Sequence, residues 1–434
     1  MRSPTRPVSL LRALRCDNET ELYEFYDRLR AADPCSWDRP LSAWVVTSHD
    51  LVSRAAGDPR LSSVRYPDLA AVDDELRPLA AVLSRQMLYA DAPDHPRLRG
   101  LVARAFTARA VELLREQITR TVDGILDRAL PHGKLEVIGD LAHPLPVSVI
   151  CDLLQVPVAD RSRMRAWSAD IALVIGNARL DPEQNAAATR SMDEILAYFG
   201  ELLQRQRAGA GGGVLPGLLG AQRDGAGLTP DEALANTVLL LMAGHETTTH
   251  FIGNAVLALL RRPDQAARLV TEPALMPTAI EELLRFHSPL QLLLRRARHD
   301  LELGGRAIAA GQPVLLVCGA ANRDPAAFPQ PDVLDLGRTG ARHVAFGHGP
   351  HFCLGAELAR LVGEITLRAM FSRLPRLRLA GDADPVWHRS LNFRGLTRLD
   401  VRWTAPPVLR PIRGRPGTPP ASAVPPPARP GRRS

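Results

Sequence analysis

Residues 346–355 read Phe346-Gly347-His348-Gly349-Pro350-His351-Phe352-Cys353-Leu354-Gly355. A lone cysteine sits among glycines, directly ahead of a helix expected over 354–371. A metal-bound thiolate needs backbone N–H donors for its negative charge, and glycines let the backbone come close. A helix N-terminus favours the same charge. Two other readings compete with this one. A lone cysteine is more often a buried structural residue. Zinc held by His348, His351 and Cys353 is a third reading, but the tight Gly and Pro spacing makes its geometry awkward.

Upstream, Thr229-Pro230-Asp231-Glu232 has the form of a helix start. Thr229 can cap, Pro230 suits the first helical position, and Glu232 completes a capping box. No breaker follows until Pro263, so a helix over 230–262 is expected. It would be on the order of 50 Å long and would cross a whole domain. In its middle stand Ala243-Gly244-His245-Glu246-Thr247-Thr248. A zinc-protease reading fails, because His245 and His250 are five apart, roughly 140° around a helix, and cannot share a metal. What remains is an acid beside an alcohol in mid-helix. Thr and Gly are poor helix formers, so their placement conflicts with local propensity. A threonine bonding back to the i−4 carbonyl is the structural explanation.

The segment 346–355 resembles the haem-binding signature of the cytochrome P450 family, FGxGxHxCxG, at every specified position. The resemblance implies that Cys353 is the axial thiolate of haem b, with Phe346, Gly347 and Gly355 around it. Such a thiolate pushes electron density onto iron and favours O–O cleavage. The run 243–247 is similar to the family's oxygen-activation motif, A/G-G-x-D/E-T. By that match Ala243 and Gly244 lie over the cofactor, Thr247 orients O2, and Glu246 helps relay the protons that heterolytic cleavage needs.

Further matches support the resemblance. Glu282 and Arg285 form an ExxR pair at i, i+3, which alone reads as an ordinary surface pair. Asn322-Arg323-Asp324-Pro325, Phe328, Pro331-Asp332, Asp335 and Arg338 follow in order. The resemblance implies a structural network of Glu282, Arg285 and Arg338 that fixes the cysteine loop. Buried haem propionates need cationic partners. Asp91-Ala92-Pro93-Asp94-His95 with Arg99 is similar to the family's DxPxHxxxR pattern. It points to His95 and Arg99, joined by Arg295 and His351, as propionate ligands.

The fold implied is the P450 fold, mainly α with small β-sheets, one large helical domain over 1–403 around a buried haem. A short strand at 44–47, mostly helix over 97–208 and strands over 301–317 with a Gly304-Gly305 turn agree with it. Motif alignment puts the substrate pocket at 61–90, 164–185, the helix face at Leu239, Ala243 and Thr247, residues 288–294, and a turn near 391–396. Leu88, Leu239, Leu292, Leu293, Leu294 and Phe393 are its candidate lining, although core packing explains each leucine as well. An apolar or amphipathic small molecule follows as substrate, to be hydroxylated or epoxidised, in natural-product biosynthesis by analogy. Bond coupling or desaturation without oxygen insertion is the alternative, and a non-catalytic haem binder a remoter one.

All but about one unit of the formal charge of +7 sits in the tail: residues 404–434 carry six arginines and no acid. The remaining body is near neutral, which argues against nucleic acid. Ten prolines among the last 29 residues mark 404–434 as a disordered tail. The five cysteines lack CxxC spacing, and no signal-peptide core or membrane-length apolar run is present. A cytoplasmic enzyme is expected, taking NAD(P)H electrons through a ferredoxin and its reductase. Lysine occurs once, at Lys134.

Overall fold

The computed structural model describes residues 9–65, 68–104, 106–176, 182–208, 227–381 and 384–404. The loop at 209–213 and the tail from 405 onward lie outside them.

The long helix runs Pro230–Leu260 and opens with the expected capping box: the Thr229 hydroxyl accepts from Glu232 N, and Thr229 N donates to the Glu232 carboxylate. It is apolar nearly all round, as a helix enclosed by others must be. Helices Pro144–Leu153, Arg161–Gly176, Pro182–Ala208 and Ala356–Arg373 pack against it. The main core, from Leu79 to Trp403, gathers about this helix. Beyond it come the shorter helices Pro263–Thr271 and Met276–Phe286.

Three small sheets flank the helices. Strands β1 (Cys35–Asp38), β2 (Ala43–Val46), β3 (Leu61–Ser62), β5 (Leu293–Ala297) and β8 (Pro313–Leu316) form one, in the order β1-β2-β8-β5-β3. β2 pairs parallel with β8, and the other pairs are antiparallel. Strands β4 (Lys134–Glu136), β9 (Arg378–Leu379) and β10 (Asp400–Arg402) make a second sheet, in which the exposed Lys134 stands opposite Arg402. Strands β6 (Leu301–Leu303) and β7 (Arg306–Ile308) form a hairpin. Its turn uses Gly304 and Gly305, both in the left-handed region, as the sequence leads one to expect.

Candidate active site

Two elements face each other across one cavity of about 310 Å³: the cysteine loop and the middle of the long helix. The loop is shaped by its glycines. Gly347 and Gly349 both have φ of 73°. At Gly349 a Cβ would also fall 2.7 Å from Gly57 Cα, so the loop seats directly on the end of helix His49–Gly57. Phe346 O accepts from Cys353 N at 2.9 Å, closing the loop. The Cys353 side chain is accessible, but to the cavity that it lines, with protein all round. Burial pushes its thiol pKa up, against a hydrogen bond from the Gly355 backbone and the charges of Arg99 and Arg360. The expected donor environment for a thiolate is therefore present. Zinc is not favoured: His348 does not line the cavity, and His351 stacks on His95 with ring centres 3.9 Å apart.

The loop is anchored from behind. Glu282 and Arg285 are buried, not surface residues, and form a two-pronged ion pair at 2.7 and 2.9 Å. Arg338 Nε reaches both Glu282 oxygens at 3.1 Å. Arg285 also binds the carbonyls of Asn322 and Pro331, and Arg338 those of Pro329 and Val333. Asn322 Oδ1 in turn accepts from Val344 N, two residues before the loop. The three residues thus hold the chain that delivers Cys353.

On the opposite wall, Ala243, Gly244, Glu246, Thr247 and Thr248 line the cavity. Thr247 Oγ1 donates to the Ala243 carbonyl at 2.8 Å, the i−4 bond that the sequence suggests. Among the described lining residues Glu246 is the only carboxylate, and burial pushes its pKa up.

The four cationic candidates cluster at one edge. His95 and Arg295 are buried, and Arg99 donates to the Phe352 carbonyl at 2.7 Å. Burial lowers the pKa of all four, that of His351 to about 3, helped by His95 and Arg295. Asp91 is the carboxylate that bears on His95, Arg295 and His351, but its oxygens are engaged by Ser62 Oγ and Ser63 N. Among the described residues none of the four has an ion-pair partner. Two arginines without counter-ions, beside two imidazoles that burial keeps neutral and able to donate, make a seat for acidic groups.

Leu88, Leu239, Leu293 and Phe393 line the cavity as expected. Leu292 does not. It packs in a separate core with Leu10, Val45 and Val317, because neighbouring side chains along a strand point to opposite faces. Leu294 is part-exposed and also outside, and no described residue of 164–185 reaches the cavity. Sequence reading missed Val149 and Ile150, which lie on a helix that carries no motif.

A family model of cytochrome P450 matches residues 214–377. The chain is 39% identical to the cytochrome P450 monooxygenase PikC of Streptomyces venezuelae, over 92% of this chain and 94% of that protein. It is 40% identical to a vitamin D(3) 25-hydroxylase of Pseudonocardia autotrophica, over 87% and 92%. The crystal structure of P450BioI in complex with an acyl carrier protein ligated to hexadec-9Z-enoic acid superposes with a TM-score of 0.83 at 37% identity, covering 88% of this chain and 97% of that one. The chain belongs to the cytochrome P450 family. It is a haem monooxygenase of that family, with a mainly helical fold and small sheets. The residues present fit the haem: a cavity-facing thiol, small residues opposite, and an edge where Arg99 and Arg295 lack counter-ions and His95 and His351 can donate to propionates. Among the described residues of this P450 no helix is long and apolar enough to cross a membrane.

Proposed function

We propose that this P450 hydroxylates or epoxidises an apolar or amphipathic small molecule in natural-product biosynthesis. Its electrons come from NAD(P)H through a ferredoxin and a ferredoxin reductase, in the cytoplasm. The observation that carries this reading is the meeting of Cys353 with the Glu246–Thr247 pair across one mostly apolar cavity.

Haem held by Cys353 supplies the activation of O2 and the two-electron oxidation of substrate. Arg99, Arg295, His95 and His351 would hold its carboxylates. Glu246, desolvated and therefore easier to keep protonated, is the proton store of the cavity. Thr247 donates its hydroxyl hydrogen to the Ala243 carbonyl, which leaves its lone pairs able to accept a hydrogen bond in the cavity that it lines. Leu88, Leu239, Leu293 and Phe393 orient substrate by apolar contact and exclude water, so that protons arrive through side chains. Relatives carry names that include 6-deoxyerythronolide B hydroxylase and vitamin D(3) 25-hydroxylase, bulky apolar substrates that suit such a lining.

Spin-state titration against macrolactones, steroids, fatty acids and peptides identifies an accepted compound, and turnover under ¹⁸O2 then tests the reaction. Label in the product is expected. A product formed without label would assign bond coupling or desaturation instead.

A further inference from the structure

Glu246 faces an apolar cavity on one side and two imidazoles on the other. One carboxylate oxygen lies 3.8 Å from His245 Nδ1, the other 3.6 Å from His250 Nε2. Both rings are buried, and the Nδ1 atom of each is without a hydrogen-bond partner. The ring of His250 continues outward to that of His388, with centres 5.4 Å apart, and His388 is exposed.

The backbone is cut to admit this ring. A Cβ on Gly395 would fall 1.9 Å from His250 Nδ1, so the Nδ1 edge of His250 packs directly on that glycine. Gly395 O accepts from His388 N at 2.9 Å, which places His388 on the neighbouring strand segment. His250 therefore has Glu246 at Nε2 and Gly395 packed on its Nδ1 edge, with the His388 ring as its neighbour at 5.4 Å between centres.

We propose that His250 and His388 carry protons from solvent to Glu246. In one transfer His388, first protonated by solvent, passes a proton to His250 Nδ1 once the two rings move into contact, and His250 Nε2 gives its own proton to the Glu246 carboxylate. Only protons move, and the relay returns to its start after His250 exchanges tautomers. A gap of 3.6 Å is too narrow for a bridging water, so a side-chain shift of a few tenths of an ångström closes it. Burial, followed by the neighbouring imidazoles of His388, His143 and His245, keeps His250 neutral with a pKa of about 3. A neutral imidazole offers a donor and an acceptor at once, as a shuttle requires. The competing branch runs from Glu246 through His245 to His143, bonded at 2.9 Å, but it ends on an imidazole that is still half-buried. The proposal rests on Glu246 as the acid of the cavity.

The test is rapid-mixing infrared spectroscopy of the haem-loaded full chain. The carboxyl band that Glu246→Gln removes is titrated, and its deuterium exchange is followed where it is protonated. His250→Phe and Gly395→Ala are expected to slow exchange at least about tenfold. The exposed swap His388→Ala should slow it by a smaller factor, and His388→Glu should recover most of the loss. Haem content and helical signal serve as folding controls, and His388, being exposed, does not threaten the fold. Exchange unchanged within about twofold in all three His250, Gly395 and His388 variants would overturn the proposal. So would slowing by His143→Phe alone, which would assign the other branch. Failure of Glu246 itself is distinguished by turnover, because Glu246→Gln would then leave oxygen activation at the parent rate.

Discussion

Thr247 and Glu246 are neighbours in sequence, yet their surroundings give them separate tasks. The Thr247 hydroxyl is tied to its own helix, whereas Glu246 points among imidazoles. Thr247→Ala is therefore expected to keep its haem while NADPH consumption decouples from product, with released H2O2 making up the difference. Wild-type coupling in that variant would pass the role to Thr248 or to a substrate hydroxyl. Glu246→Gln should instead slow NADPH consumption itself, by about 10- to 100-fold with an accepted substrate. Cys353 and Cys318 form a second contrast. Cys318 is fully buried among Val46, Leu316 and Ala321, with its pKa pushed up to about 12, and it does not line the cavity. The reduced CO complex should show the red-shifted Soret band of a thiolate-bound haem. Cys353→Ser should abolish the band, and Cys318→Ser should leave it. The residues proposed to react could be picked out in sequence because spacing along one helix or one loop is local. His388 was not, since only the fold brings it to His250, 138 positions away by number. Leu292 was misread for a related reason: three successive leucines give no polar alternate that marks which face is inward.

At the scale of elements, the helix Met276–Phe286 does more than carry the ExxR pair. Glu281, beside Glu282, lies 3.2 Å from His343 Nε2 and 2.7 Å from Arg360 Nε, joining this helix to both sides of the cysteine loop. Burial pushes its carboxyl pKa up, but His343 and Arg360 outweigh that and bring it to about 2, against an ordinary value of 4.5. A depressed carboxyl pKa stabilises the fold fully above the ordinary value, and the contribution fades as pH falls through that of the folded state. Glu281 is partly exposed, so solvent screening reduces the gain. Glu281→Gln is expected to cost about 1 kcal/mol near neutral pH. Its deficit in urea unfolding should shrink from pH 4.5 toward about 2 and be gone below that. A deficit independent of pH would remove the ion pairs as its cause. The capping box at Thr229 and the glycine turn at 304–305 were readable from local chemistry alone. The burial of Glu282 and Arg285 was not: the same i, i+3 pair on a solvent face has an identical sequence pattern, and only tertiary packing separates the two.

For the whole molecule, the contacts of residues 403 and 404 bear on where the chain can be cut. Trp403 is buried, its N donates to Gly133 O at 3.0 Å, and Thr404 N donates to Pro375 O at 3.1 Å. A chain ending after Thr404 is expected to retain haem content and activity. Ending at Arg402 removes a buried tryptophan and should destabilise by about 3–5 kcal/mol, read as a lower urea midpoint. Loss of haem in the chain ending after Thr404 would show that the Pro/Arg-rich segment takes part in the fold. The near neutrality of the first 403 residues was legible from charge placement, whereas the packing of Trp403 against Leu130 is a contact between distant positions that no local pattern marks.

Lys134, alone in its kind and exposed on β4 opposite Arg402, has a practical meaning. Reagents that attack primary amines find one side-chain address on this enzyme, apart from the amino terminus. A dye, a surface linker or an electrode coating attached through it would hold every molecule by the same strand, and so in the same orientation.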